Sequence, residues 1–237
     1  SLLASLALFA LSVLPNTAQA QARGCGAGEV LQSLAIPPAS WVAGSQGPVT
    51  YTVGTGINAI TVTYSVIGTN FLAGAPLQTT SGNLANVVEA RHTGVPPNST
   101  LSTQSISFSR PVNALALVGT DIDFNTTTFQ DQVVVRANGT ILPTSMTGGP
   151  RHTINLATGT ATATTSFNCA ATDASCNVTS GFNVTGINTA TQEFRTGPSH
   201  MNGTQYVGAT SFGWCAPRLS NITLRKTWVN ARVNDAV

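Results

Sequence analysis

Between Ile60 and Val66, apolar and hydroxyl side chains alternate without a break: Ile60, Val62, Tyr64 and Val66 against Thr61, Thr63 and Ser65. A two-residue period belongs to an extended strand, whose successive side chains point to opposite faces. Wound into a helix, the same residues would present no apolar stripe. Ile106 and Phe108, flanked by Ser105, Ser107 and Ser109, repeat the pattern. Ala114 to Val118 is apolar throughout, as expected of a central strand buried on both faces. Val133 to Val135 runs into Asn138-Gly139, a pair suited to a tight hairpin because both turn positions take positive φ, and then into Thr140 to Leu142. Further strands are expected over 160–166, 181–187, 204–212 and 220–227. Leu84 to Glu89 reads as a helical turn, and the rest of 67–104, weakly patterned and rich in Gly and Pro, as long loops over one end. About ten to twelve strands separated by turn residues predict an all-β, antiparallel β-sandwich, jelly-roll-like in arrangement.

Composition agrees. Charged residues make up only 8% of the chain, so Thr, Ser and Asn must carry its polarity. β-Branched residues fit a pleated sheet better than a helix. The 42% apolar content supplies a core and excludes a disordered chain. A net charge of +2 with no Lys/Arg cluster leaves no electrostatic footprint for nucleic acid.

Residues 1–22 divide from the rest. An apolar run from Leu2 to Leu14 is followed by Pro15-Asn16 and small residues in A-x-A order at Ala18–Ala20 or Ala20–Ala22. This is the pattern of a secretory signal peptide, with a buried helix or an N-terminal anchor as the alternative. The run is short for a membrane span, which needs about 20 apolar residues, so no membrane association is expected after cleavage. Arg23 ahead of Cys25 argues against lipidation. Residues 23–219 then form the sandwich, and 220–237 either its last strand or the start of a following unit.

Four cysteines remain: Cys25, Cys169, Cys176 and Cys215. An even count in an exported chain suggests two disulfides, and three pairings are possible. Cys169 and Cys176 flank what reads as a hairpin loop, which favours that pair and leaves Cys25 to join Cys215. Zinc is the rival, weakened by the lack of a C-x-x-C pair and by the scatter of His92, His152 and His200.

Two segments carry a resemblance. Ile106 to Asp123, with its Phe108-Ser-Arg-Pro-Val112 and Asp121-Ile-Asp123, followed by Asp131-Gln-Val-Val-Val135, resembles the β-sandwich modules near the N-terminus of large bacterial adhesin-like surface proteins. Leu224 to Val237 is similar to the opening strand of the Ig-like or prealbumin-like repeats that follow such modules. The resemblance implies a secreted or bacterial cell-surface location and a structural or adhesive role without catalysis. It implies surface glycans or host and matrix proteins as partners, and further repeats in the same polypeptide.

The best candidate for site chemistry is acidic. Asp121, Asp123 and Asp131 are three of only eight carboxylates. Asp121 and Asp123 are two apart, hence on one face of a strand, and could offer hard oxygen ligands to Ca²⁺, with Asn125 and backbone carbonyls completing the shell. The plainer reading has these carboxylates bonding loop amides or pairing with Arg110 or Arg136. Hydrolysis finds little support. No motif unites Glu89, Glu193 and the Asp cluster as a glycosidase pair, and there is no G-x-S-x-G for a nucleophilic serine. His92 and His200 read as solvated loop residues. Among aromatics, Tyr64 belongs to the core and Trp214 beside Cys215 suggests packing on a disulfide. Trp41, after Pro37-Pro38, is the candidate for an exposed sugar-stacking ring, with burial as the alternative. A secreted, Ca²⁺-dependent carbohydrate-binding module is therefore the second functional expectation.

Overall fold

The computed structural model describes residues 24–34, 41–209 and 212–220. The signal-peptide expectation for 1–22 and the strand or repeat expected from 221 onward, with Trp228, lie outside the described residues.

All regular elements except two single 3-10 turns, Gly56–Asn58 and Ala174–Cys176, are strands. In chain order they are β1 (Glu29–Leu34), β2 (Val49–Val53), β3 (Ile60–Gly68), β4 (Leu77–Ser81), β5 (Leu84–His92), β6 (Thr100–Thr120), β7 (Phe124–Asn125), β8 (Phe129–Ala137), β9 (Ser145–Thr147), β10 (His152–Asn155), β11 (Thr160–Ala163), β12 (Val178–Phe182), β13 (Ile187–Thr196), β14 (Gln205–Ala209) and β15 (Phe212–Pro217). The all-β antiparallel sandwich expected from the alternation is the observed fold, with 15 strands among the described residues instead of ten to twelve because several are too short to show a period.

Two corrections concern 67–104. Leu84 to Glu89 is not a helical turn but part of β5, and the expected long loops contain β4 and the start of β6. Asn83 and Asn86 both have φ of 60°. Their left-handed conformations bend the strand and interrupt the alternation by which it would have been recognised.

The 21-residue β6 organises the molecule. Its first half lies between β13 and β3 in a front sheet that runs β10-β11-β8-β13-β6-β3-β2. Its second half lies in a back sheet, with β12 on one side and β14 and β15 on the other; β9 extends the first edge, and β5, β4 and β1 the second. The switch between sheets falls where the chain permits it. Pro111 has no N–H for a ladder, Ala114 has φ of 49°, and the β13 register jumps between Ser107 and Val112. Between the sheets lies the main core. Val62, Tyr64, Ile106, Phe108, Val133, Val135 and Phe194 from the front meet Leu115, Leu117, Phe182, Val207, Phe212 and Trp214 from the back.

A second apolar cluster occupies the outer side of the back sheet: Leu84, Val87, Ala114, Ala116, Val118 and Cys215, with Cys25 packed against them. The β4–β5 hairpin lies across it. β5 flanks β14 on one side of β6, yet the hairpin tip reaches the segment leading into β12 on the other side. There Asn83 N donates to Ala171 O (2.8 Å) and Asn177 Nδ2 to Gly82 O (2.8 Å). This crossing explains why Ala114 to Val118 is apolar on both faces.

Both expected cysteine pairs lie at disulfide distance, Cys25 with Cys215 (Cα–Cα 5.4 Å) and Cys169 with Cys176 (6.4 Å). Trp214 does not share a side with its neighbour. It faces the main core against Phe108, while Cys215 faces the outer cluster, as adjacent strand residues must.

Candidate functional site

Asp121 follows the last residue of β6 and takes φ of 60°, a left-handed conformation that Asp tolerates. It is therefore a turn residue and not a strand residue as expected. Even so, Asp121 and Asp123 both line one cleft of about 290 Å³, together with Phe129, Asn168, Cys169, Thr204 and Tyr206. Asp131 lies behind this cleft, fully buried. One of its oxygens accepts from Asp123 N (3.3 Å) and the other from Gln205 Nε2. Asp123 Oδ2 accepts from Cys169 N (2.6 Å), so the Cys169–Cys176 loop is pinned to the carboxylate. Asn125 instead turns onto Thr127. Neither Arg110 nor Arg136 reaches the cluster: Arg110 donates to Pro217 O and Asn58 O.

Glu89, on β5, joins this acidic end, so four of the eight carboxylates gather there. Arg91 offsets one of them, donating to Glu89 Oε1 at 2.6 Å while its guanidinium lies 4.8 Å over the Tyr206 ring. Burial still raises Glu89 against the opposing Arg91, and it raises Asp121 to about 8, with the charges of Asp123 and Glu89 adding to the effect, and Asp123 to about 6. Asp131 is raised well above the usual range by burial, then by its two acidic neighbours. Such a cluster holds protons or a cation to relieve its own repulsion. The carboxylate that faces the cleft without a hydrogen bond among the described residues is Asp121, with Asn168 and Thr204 beside it, while the Asp123 carboxyl is also bonded to that of Asp131. Two tighter groupings, Cys25/Glu29/Cys215 and Asp123/Cys169/Cys176, offer no thiolate, because all four cysteines are paired.

The histidines correct an expectation, because His92 and His200 are buried and not solvated. His92 Nδ1 lies 2.9 Å from Thr69 O and Nε2 3.3 Å from Ser102 Oγ; burial pushes the ring down to about 4. His200 Nδ1 accepts from Gln130 N (3.4 Å), and His152 Nε2 lies 2.7 Å from Ile122 O. Each ring is tied to the backbone. Trp41 is likewise a core residue, 6% exposed, packed edge-on to Tyr64 with ring centroids 5.5 Å apart and donating to Pro76 O. It offers no stacking surface.

A second concave region was not foreseen. On the outer face of the front sheet, a cleft of about 510 Å³ is bounded by Gln132, Arg136, Asn155, Thr160, Thr162 and Arg195 among others. A smaller one of about 270 Å³ lies across β3, β6 and β13, lined by Thr63, Ser65, Ser105, Ser107, Thr189 and Thr191 among others. The signal was present in the hydroxyl half of the alternation, which reads equally well as plain solvent-facing surface. In comparisons with known proteins, the chain matches no family model, no curated protein and no solved structure.

Proposed function

We propose that this chain is a non-catalytic, exported β-sandwich module of an adhesin-like surface protein, and that its work is display or attachment. The observation that carries this reading is the tie between first and last described strands. β1 pairs with β15 from Glu29↔Pro217 to Leu34↔Phe212, and Cys25 pairs with Cys215 at the same end. Chain entry and exit are therefore side by side and covalently joined. A pull on the segment after Pro217 is passed through Cys215 to Cys25, so β15 cannot be peeled from β1 while the bridge is intact. A module that must hold its shape while tethered gains from such a clamp. The histidines, Asp123, Asp131 and Glu89 fit the same reading, since they are held by backbone groups, Gln205 and Arg91, which leaves Asp121 as the one cleft carboxylate without such a tie among the described residues.

Single-molecule extension between handles placed before Cys25 and after Pro217 tests it. The oxidised protein is expected to stay inextensible. Reduction should release roughly 650 Å of chain, from 190 enclosed residues at about 3.5 Å each. Unfolding of the oxidised protein at low force, or recovery of the chain from its producing cells with free thiols, would overturn the reading.

A secreted carbohydrate-binding module, with Ca²⁺ at Asp121 and Asp123, is the second reading, favoured by the acidic cleft. It expects melting at pH 8 to rise with millimolar Ca²⁺ and to return with EDTA. Equal melting in both conditions removes the metal from this reading.

A further inference from the structure

The outer face of the front sheet is organised in cross-strand rows. Ser65, Ser105, Thr191 and Arg136 are successive partners on β3, β6, β13 and β8. Thr63, Ser107 and Thr189 form the next row. On the far side, Thr153, Thr162, Gln132 and Arg195 are partners on β10, β11, β8 and β13. The alternate residues of these strands, Tyr64, Ile106, Ala190, Val133 and Ala161 among them, fill the core, so the two-residue period holds the hydroxyls outward.

Charge on this face is sparse and specific. Glu193 accepts two bonds from Arg195, at 2.8 and 3.0 Å, and a third from Thr100. Arg136 makes no hydrogen bond or ion pair among the described residues, although its charge helps hold the Glu193 carboxyl down. Two guanidiniums against one carboxylate leave a net positive cleft whose one unengaged fork is Arg136. Among the described residues, the Trp and Tyr rings that would stack on a neutral sugar are elsewhere: Trp41, Tyr64 and Trp214 are buried, Tyr51 packs on the core side of β2, and Tyr206 lies on the back sheet.

We propose that this face binds a glycan chain bearing carboxylates, a polyuronate, with one carboxylate forked by Arg136 and sugar hydroxyls exchanged along the Thr and Ser rows. A guanidinium matches a carboxylate in plane through two parallel bonds. Thr and Ser hydroxyls donate and accept, as sugar hydroxyls do. Two arginines and an opposed Glu193 are too thin a field for a densely sulfated chain, whose binding draws on clustered basic charge. The inference rests on the attachment reading and names its surface and partner.

Titration calorimetry with de-esterified oligogalacturonate, its methyl ester and a heparin oligosaccharide, at low and high salt, tests it. The acid oligosaccharide should bind, its methyl ester at least about tenfold more weakly, as expected for loss of a charge-assisted pair. Arg136→Ala should weaken binding about ten- to a hundredfold and Arg136→Lys by less, both melting like the parent, while Asp123→Asn should bind as the parent does. No binding of the acid form, equal binding of the ester, tighter binding of heparin, or parental affinity in folded Arg136→Ala and Arg136→Lys would each overturn it. Such a result leaves the extension experiment untouched, so the two failures are separable.

Discussion

Before the bend in β6, its outward residues are Thr103, Ser105 and Ser107; after it they are Ala114, Ala116 and Val118. One strand thus serves two outer faces. The front face is open and hydroxylated, and the back face is roofed by the β4–β5 hairpin. What separates them is not the sheet but what crosses it. A face that is covered must be apolar, because a buried polar group without a partner costs free energy. A face left to solvent is free to carry the groups that recognise a partner.

The covered face should be where the molecule is easiest to break, and the cysteines show it first. Cys25 and Cys215 belong to the covered cluster and enclose 190 residues. In the chain-entropy account, their loss should cost about 5 kcal/mol, and loss of the short Cys169–Cys176 loop about 2. Denaturant melts of Cys25→Ser/Cys215→Ser and Cys169→Ser/Cys176→Ser should rank in that order; the reverse would mean that the roofed end is not what holds the sandwich together.

Charge sharpens the contrast. Ala116→Asp places a carboxylate beneath the hairpin with no cation to meet it, for an expected loss of about 3–5 kcal/mol. Ser105→Asp, on the same strand but the open face, should stay within about 0.5 kcal/mol. Similar melting of the two variants would show that the hairpin does not exclude water.

Gly208 tests the roof itself. A Cβ on Gly208 would meet Val87 Cγ1 and, at 2.8 Å, Thr120 Oγ1. Gly208→Ala should therefore cost about 1–3 kcal/mol by overpacking. Adding Val87→Ala should recover part of that loss in a double-mutant cycle, because the two residues share one space. Additive losses would place Val87 elsewhere.

How much of this the residues announced differs between the faces. Alternation at Ile60–Val66 and Ser105–Ser109, and the unbroken apolar run at Ala114–Val118, were legible because long strands with one environment per face have no other way to be written. The hairpin that explains that run was not legible. Its bends at Asn83 and Asn86 break the period, and its contacts with Ala171 and Asn177 are remote in sequence. Asp121 and Asp123 do line one cleft, but through a left-handed turn at Asp121 that their strand-like spacing did not announce, and Glu89 reaches them only through pairing of β5 with β14. Burial of Trp41 and His92 follows from long-range packing that no local pattern encodes.

The acidic cleft at the margin of the covered face gives a pH signature in metal-free buffer. Facing one another there are Asp121, Asp123, Asp131, Glu89, Arg91 and Tyr206. Carboxyls in the unfolded chain ionise near 4, and in the fold Asp121 does so at about 8 and Asp123 at about 6. The stability they add is complete below about pH 4 and is lost as pH rises toward 8. His92, lowered to about 4, acts in the opposite sense, weakening the fold as pH falls below about 6.5. From about pH 6.5 to 8.5 the carboxyls dominate, and melting should drop by about 4–8 °C, equivalent to roughly 2 kcal/mol in a domain of this size. Asp121→Asn should flatten that slope, and Asp173→Asn, half-buried and outside the cluster, should leave it.

The smallest effect belongs to the open face and is the most telling for its use. Ser65, Ser105 and Thr191 lie side by side across three strands. If their hydroxyls chiefly bonded one another, each replacement would remove part of a cross-strand pair worth about 0.2–1 kcal/mol, and losses would accumulate along the row. If they face outward, water replaces every bond, and Ser65→Ala, Ser105→Ala and Thr191→Val should each change stability by less than about 0.5 kcal/mol. The triple variant would then melt like the parent while losing affinity for an acidic glycan. A triple variant that loses several kcal/mol would mean that the rows are fastenings within the sheet, and that their polarity answers to the fold instead of to a partner.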